Sequence, residues 1–325
     1  MATETRKNTP TRKRAPSGAK SQRHGPAPRA AEFFAGIGLV RLALEQAGWQ
    51  VAFANDIDEN KARMYRDNWP ADDHLAVGDI HQLDPHSVPR CELFTASFPC
   101  NDLSIAGKGA GLSGKESSAY WGFLQIIKAL GEDRPPLVLL ENVLGFLTRD
   151  GGKDLAVALS ALNELGYSVD AFVLNASHWV PQSRPRLFIV ATERPPVDVP
   201  LLGIECDARP PALARFIRTR ADIGWNVRPL PPLPQRRTSL ADILEDLPDD
   251  DERWWSDERA DYFMNQLSPK HAEEAQGMIA GDEYSYAPAF RRVRKGKSMA
   301  ELRTDGLAGC LRTPRGGSGR QILFR

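Results

Sequence analysis

Cysteine is scarce in this sequence: only four occur among 325 residues, at positions 91, 100, 206 and 310, and none forms a C-x-x-C pair. A disulfide framework or a zinc site depends on more cysteines or on closer spacing. Both are therefore disfavoured, and we predict no metal site. Free thiols fit a reducing compartment, so the predicted localisation is cytoplasmic.

Long apolar stretches are also missing. No run reaches the ~18 residues that a membrane-spanning helix needs. The polar start of the chain lacks the features of a signal peptide. We therefore expect a soluble chain with no membrane partner.

The chain has no net charge, since 42 basic residues balance 42 acidic ones, but the charges are unevenly placed. Residues 1–30 hold eight Lys and Arg residues against the single acid Glu4, with almost no large apolar side chain. Such a segment cannot bury a core, so we predict a disordered basic tail. It either binds polyanions or only keeps the chain in solution.

Alternating apolar and amphipathic segments begin at residue 31. Strands are predicted at 31–35, 50–56, 74–80, 135–143, 168–176 and 186–192, with another ending near Phe98, and helices at 39–47, 58–68, 120–130 and 154–165. The alternation predicts βαβ units in an α/β fold with a parallel sheet. We place the catalytic domain at 31–196 and a second region at 197–325.

Glycines and acids mark the ends of the first strands. Gly36 and Gly38 follow the first strand, where glycine lets the backbone approach a ligand closely. Asp56 and Asp79 end the second and third strands, and a carboxylate at such a position suits a ribose diol. The pattern favours a nucleoside site; the alternative is that both acids cap the following helices.

Cys100 ends another apolar strand and is followed by a glycine-rich loop. Pro99 before it restricts the backbone, and open α/β sheets bind their ligands at this end of the strands. On position alone, a nucleophile and a small buried residue are equally good interpretations.

Glu141 follows four aliphatic residues within the strand 135–143. Burial would raise the pKa of its carboxyl group and let it act as an acid near neutral pH; the alternative is a structural ion pair. Arg184 and Arg186 share one face of an extended segment, where guanidinium groups bind phosphate, carboxylate or a base edge. His178 is interpreted as a packed loop residue.

Six short motifs occur in order within residues 31–195. They are Phe34-Ala-Gly-Ile-Gly38, Asn55-Asp56, Gly78-Asp79-Ile80, Phe98-Pro-Cys-Asn-Asp-Leu-Ser104, Glu141-Asn-Val143 and Gln182-Ser-Arg-Pro-Arg186. In this combination they resemble the DNA cytosine-C5 methyltransferase family, of the bacterial or phage modification type. The resemblance implies a Rossmann-like, doubly wound methyltransferase fold, and it favours the nucleophile interpretation of Cys100.

The same resemblance implies a cofactor, S-adenosylmethionine, and the residues that bind it. These are Phe34, Gly36, Ile37, Gly38, Asp56, Ile57, Asp79, Ile80 and Pro99. Asp56 is expected to hold the ribose hydroxyls, and Asp79 and Ile80 are expected to meet the adenine.

Catalytic residues are implied in the same way. A cytosine flipped out of duplex DNA is expected to receive the Cys100 thiolate at its C6 atom. Glu141 would then act at N3 and Arg186 at O2, with Arg184 or Arg186 also assisting the thiolate. Among the motif residues, those expected to contact the DNA are Ser104 and Gln182.

Residues 197–325 are predicted to hold a linker and a target-recognition region. Prolines punctuate residues 195–234, and 238–247 is predicted to be a capped amphipathic helix. The basic stretch 291–297 and three further arginines, Arg312, Arg315 and Arg320, are expected to contact DNA phosphates. Solvated basic loops are the alternative.

Two features expected of the family near the chain end, an arginine-led helix and a Gly-Asn-Ser-Val-like segment, are not found. We interpret the chain as truncated, as half of a split enzyme whose second chain supplies the missing part, or as a fold that closes its pocket differently. An inactive DNA-binding or regulatory subunit is the alternative function. An oxidoreductase would not explain the Pro-Cys motif, and the long region after residue 196 disfavours RNA as the substrate.

Overall fold

The computed structural model describes residues 25–71, 73–99, 118–198, 203–294, 296–311 and 321–325, apart from the side chain of Arg294. The strands are β1 Arg29–Phe33, β2 Gln50–Asp56, β3 Leu75–Val77, β4 Leu93–Ala96, β5 Leu137–Val143, β6 Ser168–Asn175, β7 Pro185–Thr192, β8 Ala287–Arg294, β9 Lys297–Leu302 and β10 Ile322–Phe324. The helices are α1 Leu39–Gln46, α2 Glu59–Asn68, α3 Ser118–Leu130, α4 Gly145–Thr148, α5 Lys153–Glu164, α6 Pro211–Thr219, α7 Asp257–Met264 and α8 Pro269–Ile279.

Seven strands form the larger sheet, in the order β3-β2-β1-β4-β5-β7-β6. β1 to β5 pair in parallel, whereas β7 is antiparallel to both β5 and β6. The prediction of an α/β fold with βαβ units is confirmed, and the sheet is parallel except at β7. Residues 176–184, which join β6 to β7, are too few for a crossover helix, so the chain turns back antiparallel.

The strand order reverses between β1 and β4. From β1 the sheet continues to β2 and β3 on one side, whereas β4 leads to β5 on the other. In open α/β sheets, the loops after the strands at such a reversal enclose the ligand crevice. The glycine loop after β1 and Pro99 after β4 lie at this point.

Apolar side chains of the sheet and its helices form the main core. The ring of Phe33 lies 5.2 Å from that of Phe94 and 5.1 Å from that of Phe123, measured between centroids. The same core includes α6 and residues up to Val227, past the predicted domain end at residue 196. β1 begins at Arg29, inside the predicted basic tail. No described helix is long and apolar enough to cross a bilayer.

A second, smaller core lies under the sheet β10-β8-β9. Phe263 of α7 and Ala275 of α8 pack there against the apolar residues of β8 and β9. Within the basic stretch 291–297, residues 291–294 end β8 and Lys297 begins β9, and these two strands pair antiparallel. This region therefore has a core separate from that of the larger sheet.

The prediction of a helix at 238–247 is wrong. Only a 3₁₀ turn, Ala241–Ile243, forms within it. Leu240 is buried, but Ile243 is 58% exposed, so only part of the predicted apolar face packs against the protein. Short helices depend on such packing, because their propensity alone does not stabilise them.

Candidate active site

Most of the predicted site residues lie along the carboxyl edge of the larger sheet. The glycine loop follows β1, Asp56 ends β2, and Glu141 lies near the end of β5. Because β7 is antiparallel, its first residues reach the same edge, and Val143 pairs with Arg186 there. Five predicted residues lie outside the described ones: Cys100, Ser104, Arg312, Arg315 and Arg320.

The loop after β1 is held by Asp56. Its Oδ2 atom accepts a hydrogen bond from the Gly36 N–H at 2.7 Å, and its Oδ1 accepts one from the Asp58 N–H at 2.9 Å. Asp58, not Asp56, caps helix α2. A Cβ atom built on Gly36 would meet nothing within 4 Å, so the backbone there faces open space.

The other residues predicted to bind the cofactor are divided between surface and core. The side chain of Asp79 accepts a hydrogen bond from the His81 N–H at 3.0 Å, which is the capping interaction considered as the alternative. Ile80 is buried and contacts the glycine face of α3 at Gly122. Ile57 is exposed next to the loop, whereas Phe34 packs partly into the core with a φ angle of 59°.

Gly38 provides a test of how tightly the loop is built. Its φ angle is 82°, and an added Cβ would lie 2.2 Å from the Trp69 ring. We expect Gly38→Ala to destabilise the fold by roughly 1–3 kcal/mol more than the left-handed backbone alone costs. Gly48→Ala is the matched control, because Gly48 has a φ angle of 84° and no neighbour within 4 Å. If Gly38→Ala and Gly48→Ala lost the same free energy of unfolding in urea denaturation, the close packing of Gly38 against Trp69 would be contradicted.

A buried carboxylate, Glu32, lies under the same loop and was missed from the sequence. It is 1% exposed, and its carboxylate lies near the backbone N–H groups of Val40 and Arg41 in α1. Thr95, its register partner on β4, has a buried hydroxyl with no hydrogen-bond partner among the described residues. Burial raises the pKa of Glu32 from 4.5 to about 8; the Asp56 charge adds to the rise, whereas Arg41 opposes it. The sequence signal that could have identified Glu32 is an acidic residue inside an otherwise apolar predicted strand.

This pKa shift predicts a pH dependence of stability. Between pH 4.5 and about 8 the folded state keeps a proton on Glu32 that the unfolded state has lost. Stability therefore falls as pH rises through this window, by up to roughly 1.4 kcal/mol per pH unit. Glu32→Gln should remove most of this decline in melting curves between pH 5.5 and 8.5. Glu132→Gln changes an exposed carboxylate and should leave the fall of stability with pH intact. If stability fell as steeply in Glu32→Gln as in the wild type, the assignment of this fall to Glu32 would be contradicted.

Glu141 and the two motif arginines form a cluster with Cys310. The Nε of Arg186 lies 2.8 Å from Glu141 Oε1. Arg184 Nη1 donates to the Cys310 sulfur at 3.3 Å, and Arg186 Nη2 lies 4.0 Å from the same atom. The side chain of Glu141 is 27% exposed and ion-paired, so the poorly solvated environment expected for it is not found. The ion-pair alternative describes its surroundings correctly.

Cys310 reaches this cluster because its segment pairs with the arginine motif. Ser183 N–H donates to Ala308 O and Ala308 N–H donates to Pro181 O, both at 2.8 Å. Gln182 takes part through its backbone as the bridge partner of Ala308. The segment around Cys310 thus contacts the arginine motif directly.

This arrangement can hold a planar, polar ring. A carboxylate accepts hydrogen bonds or carries a proton, and a guanidinium beside it donates in its own plane. These groups lie on β5 and β7, at the carboxyl edge of a mostly parallel sheet, and the order of its strands is typical of methyltransferases. The crystal structure of S. pombe Dnmt2 methyltransferase is similar, with a TM-score of 0.50 and 19% identity over 74% of this chain and 67% of that one.

The chain belongs to the C-5 cytosine-specific DNA methylase family, whose family model matches residues 29–306. The family resemblance drawn from the motifs is therefore confirmed. Type II methyltransferase M.HhaI from Haemophilus parahaemolyticus is 34% identical over 160 residues, which cover 49% of this chain and 47% of that protein. Type II methyltransferase M.BanI from Aneurinibacillus aneurinilyticus is 30% identical over 277 residues, covering 82% and 57%. The chain thus spans about half the length of the curated relatives it matches.

Proposed function

We propose that the chain transfers a methyl group to carbon 5 of cytosine in duplex DNA. The observation that carries the proposal is the Glu141–Arg186 pair, 2.8 Å apart, at the sheet edge that Pro99 also reaches. A cytosine presents a ring nitrogen next to a carbonyl oxygen, and a carboxyl group beside a guanidinium matches that edge. Such contact requires the base to leave the duplex.

S-adenosylmethionine fits the glycine loop. Its sulfonium and ammonium groups are cationic, and Asp56 brings a carboxylate to this loop. Gly36 leaves the backbone open to a ligand. The residues that would hold it are Phe34, Gly36, Ile37, Gly38, Asp56, Ile57, Asp79, Ile80 and Pro99. When bound, the cofactor supplies an electrophilic methyl group.

The residues of the chain activate the cytosine. The Cys100 thiolate donates an electron pair to C6 and forms a covalent bond, because C5 is a poor nucleophile while the ring is conjugated. Glu141 holds the proton at N3, and Arg186 orients both Glu141 and the O2 atom of the base. Loss of the C5 proton after methylation restores the ring and releases the thiolate of Cys100. A free thiol is only a few per cent ionised at pH 7, so the cations Arg184 and Arg186 are assigned to assist it.

Transfer of labelled methyl groups from S-adenosylmethionine to duplex DNA tests the function. The purified chain should label DNA, and nucleoside analysis should place the label on carbon 5 of cytosine. Label on an exocyclic nitrogen of cytosine or adenine would contradict the reaction. Labelling of RNA without labelling of DNA would contradict the proposal that duplex DNA is the substrate.

A second candidate is a DNA-binding or regulatory half that requires a second chain. Leu39 and Leu42 of α1 favour it, since they are 66% and 46% exposed beside the glycine loop. Titration with S-adenosylhomocysteine separates the two candidates. Binding by the isolated chain supports the complete enzyme, whereas no binding together with no methyl transfer supports the half.

A further inference from the structure

A basic and aromatic surface lies beside the candidate active site, on the loop between β6 and β7. Trp179 and Val180 are 49% and 47% exposed there, although both are large and apolar. Gln182, the first residue of the arginine motif, donates its N–H to Val180 O at 2.7 Å. Arg236 and Arg237 line the same cavity as Trp179. We call these four side chains, Trp179, Val180, Arg236 and Arg237, the flanking surface.

The arginines of this surface are held in place by a proline-rich segment. Residues 229–234 form neither helix nor strand, and prolines restrict their backbone. His178 Nδ1 lies 3.0 Å from Pro234 O. Since a carbonyl oxygen only accepts, Nδ1 carries the proton and donates. The bond anchors the segment to the loop two residues before Arg236.

The positive charge of the flanking surface has no acidic partner within the part of the chain that the structure describes. The described residues that line the cavity are His178, Trp179, Pro234, Gln235, Arg236 and Arg237, and none of them is acidic. Nη1 of Arg236 is shielded from solvent and has no hydrogen-bond partner among the described residues. Arg237 is exposed and forms no ion pair within the described part of the chain. Other surface arginines differ, since Arg220, Arg253 and Arg303 each pair with an aspartate two positions away.

The position of the flanking surface indicates its ligand. The loop follows the carboxyl end of β6 and leads into Arg184 and Arg186, so it lies at the same sheet edge as Glu141. A duplex that delivers one base to Glu141 must place the neighbouring backbone on the adjoining protein surface. Guanidinium groups bind phosphate oxygens, and an aromatic ring offers an apolar face to a deoxyribose.

We propose that the flanking surface binds the phosphate backbone of duplex DNA next to the flipped cytosine. This inference rests on the proposed function for its ligand. Arg236 and Arg237 neutralise phosphates, and Trp179 packs against the adjoining sugar. The contacts position the DNA and do not read its sequence.

Salt dependence of binding to a labelled 30-base-pair duplex of mixed sequence tests the proposal. The double variant Arg236→Gln/Arg237→Gln should make the slope of log affinity against log salt shallower by about 1.8, since each phosphate contact contributes about 0.9. Affinity should fall by the same factor for duplexes of unrelated sequence. Arg63→Gln/Arg66→Gln is the matched control, because these exposed arginines of α2 lie on the other half of the sheet.

Trp179 supplies an independent measurement. Trp179→Ala should weaken duplex binding several-fold with an unchanged salt slope, and Trp179→Phe should restore most of it. An unchanged slope and affinity in the arginine variant would overturn the proposal, as would an effect seen only with single-stranded RNA. Methyl transfer by the wild-type chain is measured separately. If the wild-type chain transfers methyl groups but the substitutions change neither duplex affinity nor its salt dependence, only the role of the flanking surface is refuted. If the wild-type chain transfers no methyl groups, the proposed function is refuted.

Discussion

Cys100→Ala is expected to abolish methyl transfer, with a loss of roughly 10⁴-fold or more. Carbon 5 of cytosine becomes nucleophilic only when a thiolate has added to C6, so no other step replaces the covalent bond. DNA binding should persist, because phosphate contacts supply most of the affinity. The measurement is the initial rate of labelled methyl transfer, with duplex binding followed in parallel.

Cys206→Ala is the matched control for this change. Cys206 is exposed and lies in the chain between β7 and α6, outside the six motifs. The Cys206→Ala variant should retain the wild-type rate of methyl transfer. Transfer at the wild-type rate in Cys100→Ala would refute the nucleophile assignment.

Glu141→Gln should lower kcat by about 10²–10⁴-fold, the usual contribution of general acid–base catalysis. The amide keeps the shape of the side chain and can still accept from Arg186, but it cannot exchange a proton with N3. Affinity for S-adenosylhomocysteine should change little, because Glu141 lies on β5 and the glycine loop follows β1. Single-turnover rates and cofactor titrations provide the two measurements.

Glu193→Gln is the control for loss of a carboxylate. Glu193 pairs with Arg134 on the surface, at the opposite end of β7 from Arg186. It should leave kcat within about twofold of the wild type, since partly exposed ion pairs contribute little. Equal losses of cofactor affinity and kcat in Glu141→Gln would indicate a structural role for Glu141 instead.

Local sequence pattern predicted much of the architecture. Strands of aliphatic residues ending in Asp56 or Glu141 were recognisable because burial and strand ends are local properties. The direction of β7 was not, since parallel and antiparallel strands have similar apolar content. Its reversal follows from the short connection after β6, and it is what brings Arg186 opposite Val143.

The chemical environment of the site was harder to predict, because it depends on contacts distant in sequence. Cys310 contacts Arg184 across 126 positions, and no local pattern marks that pairing. The apolar run before Glu141 predicted a desolvated carboxylate, but Arg186 arrives from the antiparallel strand and pairs with it. Glu32 was passed over as part of the first strand, although its burial gives it the clearest pKa shift near the loop.

The most direct test of the account uses duplex DNA in which the target cytosines are replaced by 5-fluorocytosine. Fluorine cannot leave carbon 5 as a proton does, so the enzyme should remain bonded to C6 after one methyl transfer. We expect a denaturation-resistant protein–DNA adduct that depends on S-adenosylmethionine, with the DNA attached to the peptide containing Cys100. Methyl transfer to ordinary duplex DNA without any such adduct, or an adduct at another residue, would contradict the mechanism.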